Sequence, residues 1–271
     1  MAEITAQMVQ NLRSKTDLAM MDCKKALVEA GGDEAKALEV LRKKFADKMS
    51  DRADKEAANG RIGVFANDKA AALVEMRCET DFVGTNDAFR QLADTIAAAC
   101  AGSGATDVEP LKAAKAPDGR NVQDLIVDAF GKLKENIGIK RAVRLEGPGA
   151  CYVHHNGKVA AVIVCDKAPG EAGRQVCMHI ASTMNIAGLH REDVDASAVE
   201  EARAKATEEA KGKPPQIIEK IVAGKMDRWY AERVLTEQPF VMDDKKSVRD
   251  FAKENGFVIK GYARFEVGAL K

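Results

Sequence analysis

Hydrophobic positions change their period along this chain, and the changes mark out its parts. Over residues 5–48 they recur at helical spacing in three runs. Met8, Val9 and Leu12 form the first, behind Thr5 as a cap. Cys23, Ala26, Leu27 and Ala30 form the second, which Gly31-Gly32 should stop. Ala35, Leu38, Leu41 and Phe45 form the third, with Asp33 as its cap. A three-helix unit this small has a thin core, and such units often serve as docking modules. The polar run from Ser50 to Asn59 reads as a linker.

Beyond the linker the period drops to two. Ile62, Val64 and Ala66 alternate with polar positions, and Ala70–Cys78 reads as a second strand. Asn67-Asp68 lies between them, and Asn67 tolerates the positive φ of a hairpin turn. A helix follows over 88–101, capped by Asn86 or Asp87. The pattern then recurs. Val153, Asn156 and Lys158 match Val64, Asn67 and Lys69 at one constant offset, with Asn156-Gly157 as a strong turn signal. Val159–Val164 matches the second strand, and Arg174-Gln175 matches Arg90-Gln91 at a shorter offset. The chain thus holds two copies of hairpin-then-helix, the first with a longer segment between second strand and helix.

Between the copies, 107–114 and 122–135 read as helices and 139–145 as a strand. After them, 198–211 is a charged helix with a narrow stripe of Val199, Ala202, Ala206 and Ala210. Pro214-Pro215 breaks it, and 217–235 resumes with Ile218, Ile221, Val222, Met226, Trp229 and Tyr230. This is an antiparallel helical hairpin, expected to project from the body. Residues 240–242, a helix over 247–254 and a strand over 257–267 end the pattern. The expected fold is α+β. Its expected units are a three-helix (UBA-like) module over 1–55, a core subdomain over 56–140, and a second over 141–271 with the hairpin inserted at about 194–237.

Composition narrows the function. The 271 residues suit two or three domains. Lys+Arg and Asp+Glu both number 42, and residues 1–60 carry equal numbers of each sign. Phosphate neutralisation drives nucleic-acid affinity and needs a basic excess, so a protein partner fits better. No apolar stretch is long enough to span a membrane, and Met1-Ala2-Glu3 opens without a signal-peptide pattern. Cys23, Cys78, Cys100, Cys151, Cys165 and Cys177 have no framework spacing, and read as reduced thiols of a cytoplasmic protein.

Catalytic motifs are absent: there is no phosphate-binding glycine loop, nucleophile elbow or H-E-x-x-H. Cys151, His154, His155 and Cys165 invite a metal reading. A two-residue turn at 156–157 pairs 155 with 158, which puts Cys151 opposite Val162 rather than Cys165, so the ligands do not converge. His154 and His155 should then face opposite sides of the strand, one half-buried and one solvated. His179, on the helix of the second copy, has no identifiable nucleophile partner and reads as structural or interfacial. The segment that stands apart is Cys78-Glu79-Thr80-Asp81-Phe82-Val83-Gly84, which places two apolar residues in a strand-to-helix loop. Either Phe82 tucks under the loop as core, or it projects as an apolar wedge beside the Asp81 carboxylate and fills a partner's pocket. Met20-Met21 is a second candidate. Met20 continues the stripe of 20, 23 and 27 and Met21 points away from it; either both pack within the three-helix unit, or the pair forms an adaptable apolar contact.

These residues, in this order, resemble the translation elongation factor Ts family. The resemblance rests on M-A-E-I-T-A at the start, Met20 through Leu27 (MMDCKKAL), Thr80-Asp81-Phe82-Val83, Gln238 through Met242 (QPFVM) and Arg264 through Gly268 (RFEVG). It implies a nucleotide exchange factor without covalent chemistry and without a cofactor or bound metal. The implied partner is the GTPase elongation factor Tu, GDP-bound or nucleotide-free, with a homodimer or 2:2 assembly left open and neither nucleic acid nor membrane involved. Carried over by motif, Thr80, Asp81, Phe82 and Val83 form a wedge near the partner's Mg²⁺ site. Met20 and Met21 contact the GTPase domain, and His179, after Met178, approaches the same partner. Two departures stand out. Thr16-Asp17-Leu18-Ala19 occupies a loop where the family usually has glycines, and the sequence ends at Lys271, where some relatives continue into a C-terminal helical module expected to be missing here. Two other classes stay open on the residues alone: a docking protein with Phe82 buried, or a metal-dependent enzyme at the 151–165 hairpin.

Overall fold

The computed structural model describes residues 3–105 and 107–269; Met1 and Ala2 of the opening motif, and Lys271, lie outside the described residues. The three N-terminal runs fold as α1 (Ala6–Thr16), α2 (Met20–Glu29) and α3 (Glu34–Asp51). Thr5 and Asp33 cap α1 and α3, accepting from the N–H groups of Met8 and Lys36. The core of this unit does not stay thin. Phe45 and Leu41 join a continuous cluster with Leu125, Ile126 and Phe130 of α7 (Val122–Leu133). Gly131 makes this possible, because a Cβ there would meet the Phe45 ring at 2.9 Å. Arg42 adds a forked pair of hydrogen bonds to Asp128.

Two three-stranded antiparallel sheets form the centre. One is β1 (Asn59–Ala66), β2 (Ala70–Cys78) and β3 (Gly138–Glu146), with β2 in the middle. The other is β4 (Gly149–Val153), β5 (Val159–Cys165) and β8 (Ile259–Glu266), with β5 in the middle. The internal repeat therefore extends to a third strand in each copy. Both middle strands are almost wholly apolar because both of their faces are covered. Ala71 and Leu73 of β2 pack on Ala160, Val162 and Val164 of β5, sheet against sheet. Ala70, Ala72, Val74 and Met76 face a helical layer that includes α5 (Asp87–Ser103), α6 (Val108–Ala113) and α7. Ala161, Ile163 and Cys165 face α8 (Gly170–Ser182) and α11 (Val248–Glu254). The order of layers is helix, sheet, sheet, helix, an α+β arrangement.

The second hairpin keeps the expected register, and the two hairpins close with different turns. Asn67 does not adopt a left-handed conformation; among the described residues the non-glycine positions that do are Asp17 and Lys134. Instead the Asn67 side chain accepts from the N–H groups of Lys69 and Ala70 and closes the turn itself. In the second hairpin Cys151 stands opposite Val162, as the register argument requires. The loop is wider than two residues, since His154 N–H reaches Val159 and Gly157 takes φ 71°. His154 and His155 have left the strand, so they do not lie on opposite faces: their ring centroids are 4.2 Å apart. His154 is half-buried and His155 exposed. Among the described residues no three His, Cys, Asp or Glu side chains gather where an ion could sit.

The helical hairpin is α9 (Ala196–Glu209) and α10 (Pro215–Arg233), with Pro215 in the first turn of α10. Ala206, Ala210, Val222 and Met226 form its own small core, separate from the others. No helix among the described residues is long and apolar enough to cross a membrane. Two short strands, β6 (Pro239–Phe240) and β7 (Asp243–Ser247), pair before α11; β7, reading DDKKS, has no apolar pattern to announce it.

Candidate partner-binding site

The segment after β2 is not a loop. Residues Asp81–Thr85 make one turn of helix, α4, with Thr80 as its N-cap and Asn86 both ending it and capping α5. Within it the apolar residues divide. Val83 is buried in the core, whereas Phe82 is 83 % exposed and Asp81 points to solvent beside it. Phe82 therefore projects and is not core. An exposed phenylalanine leaves apolar area in water that burial against a partner would recover, on the order of 2 kcal/mol or more.

Five residues of helix cannot persist alone, because nucleation costs more than one turn returns. Other elements hold this turn. Glu135, in the loop between α7 and β3, accepts at Oε2 from the N–H groups of Glu79 (3.1 Å) and Thr80 (3.0 Å), and at Oε1 from the Thr80 hydroxyl. With its proton directed to Glu135, the Thr80 Oγ1 is free to accept from Val83 N–H at 3.4 Å. Glu79 answers in kind. Its carboxylate accepts from Asn136 N–H at 2.6 Å and from the Arg52 guanidinium at 2.6 and 2.9 Å. Arg52, followed by that amide, holds the Glu79 carboxyl below its ordinary value. Cys78 donates to the Thr80 carbonyl, and burial pushes its thiol up to about 12, so it stays protonated.

Met20 and Met21 sit in the first turn of α2, 50 % and 59 % exposed. Met20 is exposed rather than buried, and Leu18, just before the helix, is the residue that enters the core. The preceding turn closes through Asp17, which ends α1 in the left-handed conformation at φ 58°. The two methionines thus form one exposed apolar pair. Next to them Asp22 bonds Lys44 at 2.8 Å and lies 3.9 Å from Lys134, the residue before Glu135.

His179 lies elsewhere. It is buried, its Nε2 is 2.9 Å from Gln238 Oε1, and its Nδ1 accepts from Val241 N–H at 3.2 Å. The second bond fixes Nδ1 as acceptor and Nε2 as donor. Burial lowers its pKa from 6.5, against the Gln238 bond, so the ring is neutral. Val241 and Met242, which this ring anchors, are exposed large apolar residues beside an apolar hollow lined by Tyr152, Met178 and Ala181. Sequence reading missed Glu135 and Arg52, each in a polar run with no periodic signal, and gave Glu79, inside the segment it singled out, no role.

The family model described as Elongation factor TS matches residues 79–269, which include the exposed helix turn, β3 and the whole second sheet. Elongation factor Ts of Hyphomonas neptunium is 42% identical over 282 residues, covering 99% of this chain and 93% of that protein. The chain belongs to the elongation factor Ts family. Elongation factor Ts of Azoarcus sp. is 41% identical and that of Burkholderia thailandensis 40%, each covering 99% of this chain and 92% of the relative. The similarity to these elongation factor Ts proteins spans the three-helix module as well as the matched core. Membership of the elongation factor Ts family assigns the chain to translation elongation in protein biosynthesis.

Proposed function

We propose that the chain is a guanine-nucleotide exchange factor for elongation factor Tu, working in the cytoplasm without covalent chemistry. It binds Tu·GDP, displaces Mg²⁺ and releases GDP so that GTP can enter. The observation that carries this is Phe82, an aromatic 83 % exposed on a helix turn whose entry is held by Glu135 on the Glu79 and Thr80 amides and by Asn136 on the Glu79 carboxylate. In this reading Asp81 and Phe82 are the wedge, Thr80 and Val83 hold it, and Met20 and Met21 grip the same GTPase domain. His179 acts indirectly, presenting Val241 and Met242 through its bond to the Val241 amide. The working units are 1–55, 56–140 and 141–271, with the hairpin at about 194–237 inserted in the last.

Linkage sets what the factor must do. It binds empty Tu better than Tu·GDP, and GDP weakens factor binding by the same ratio as the factor weakens GDP binding. Mg²⁺ requires near-ideal octahedral geometry, so an aromatic ring that shifts a liganding segment slightly releases it. A buried aromatic anchor supplies about 2 kcal/mol or more, enough for a loss of about tenfold or more in nucleotide affinity.

The test is GDP release from purified Tu. Saturating factor should accelerate it strongly, and Phe82→Ala should lose most of that acceleration while keeping the wild-type fold. Wild-type-like exchange by the Phe82→Ala protein would sink the wedge.

A further inference from the structure

Phe82 is exposed and touches too little to hold itself in place. Its position depends on the backbone of α4, and α4 is too short to hold itself. The bonds to the amides that enter it come from the loop Lys134-Glu135-Asn136 between α7 and β3, with Arg52 and Asn59 adding bonds to Glu79. Glu135 takes both N–H groups that enter the turn, and the hydroxyl of its cap. Asn136 N–H donates to the Glu79 carboxylate, and the Asn136 side chain donates to the carbonyls of Ala53 and Lys55, just past α3. Lys134 faces the other way. Its ammonium lies 4.2 Å over the Phe45 ring and 3.9 Å from Asp22, the neighbour of Met21.

We infer that Glu135 is a positioning residue for nucleotide exchange, and that this loop holds the two partner-binding patches, Phe82 and Met20-Met21, in fixed relation. The inference rests on the exchange reading above. A carboxylate suits 135, because it takes two backbone N–H groups on one oxygen and the Thr80 hydroxyl proton on the other. Glutamine keeps the shape and its carbonyl oxygen can still accept both N–H groups, but its amide must donate to Thr80 Oγ1, and the bonds lose the charge that strengthens them. Without the brace, α4 frays, the Phe82 ring samples many positions, and the transition of Tu to its open state loses the pre-ordering of that ring. Docking itself, which Met20 and Met21 share, changes less.

The experiment follows release of a fluorescent GDP from purified Tu against factor concentration. It uses wild type, Glu135→Gln, Glu135→Ala, Phe82→Ala and the two double variants. Glu135→Ala should lower the maximal release rate by about tenfold, the effect of losing charge-assisted hydrogen bonds, with the half-saturating concentration nearly unchanged. Glu135→Gln should fall in the same direction and, being isosteric, carries the test if the alanine protein does not fold. In the Phe82→Ala background neither substitution should cost anything further, because Glu135 acts through that ring. Equal losses in both backgrounds, or a full maximal rate in Glu135→Gln, would overturn the positioning role. Failure of the wild-type factor to accelerate release would instead overturn the exchange reading.

Discussion

At the scale of single residues, the chain separates side chains that look alike in sequence. Phe82 and Val83 are adjacent apolar residues, yet one is exposed and the other buried, because a helix turn rotates neighbours by about 100°. His179 is set apart from the other histidines by its two ring bonds. Its folded pKa lies below 6.5, which fixes the sign of its pH dependence. Above that value both states are neutral. As pH falls through it, the unfolded chain takes up a proton that the buried ring refuses, so stability drops until the folded pKa is passed. Urea unfolding of wild type should therefore show a loss as pH falls below about 6.5, and His179→Gln should show a smaller one. Asp17 offers a gain. It holds φ 58° and is exposed, so Asp17→Gly should raise stability by about 0.5–1 kcal/mol in the same assay, without changing exchange.

At the scale of elements, helix caps and periodic stripes predicted most boundaries to within a few residues, because these signals are local. Thr5, Asp33 and Asn86 cap the helices expected of them. What escaped was held by distant partners. The α4 turn depends on Glu135, more than fifty positions away in sequence, and β7 exists because β6 offers it an edge. Gly63 shows how closely elements approach: a Cβ there would lie 2.1 Å from the Ala93 carbonyl oxygen of α5. Backbone cannot yield as a side-chain tip can. Gly63→Ala should push α5 from β1 and cost about 2–3 kcal/mol or more, seen as a lower urea midpoint.

At the scale of the whole molecule, one buried carboxylate ties the sheets together. Glu75, on the middle strand β2, bonds Arg141 of β3 at 2.6 Å and accepts from Gly268 N–H, just past β8, at 3.1 Å. Arg141 also reaches the Glu266 carbonyl and stacks over Phe265. Arg141→Met would leave Glu75 buried with only Arg77, 3.5 Å away, for a charge partner. The expected cost is about 3–5 kcal/mol, measured by equilibrium unfolding. A loss under about 1 kcal/mol would mean that the carboxylate finds water or another partner.

The sequence by itself determined most elements, the two-copy plan and the register of the second hairpin, since periodicity, caps and turn residues act over a few positions, and its motifs carried the family resemblance. It also picked out Thr80–Val83 and Met20-Met21 as unusual apolar segments. Only the tertiary structure decided that Phe82 stands in solvent, that Met20 does too, and that His179 is sealed beneath Val241. Exposure depends on what other parts of the chain cover. Glu135 became visible for the same reason: a glutamate in a polar run carries no pattern, and its role comes from the donors that folding brings to it.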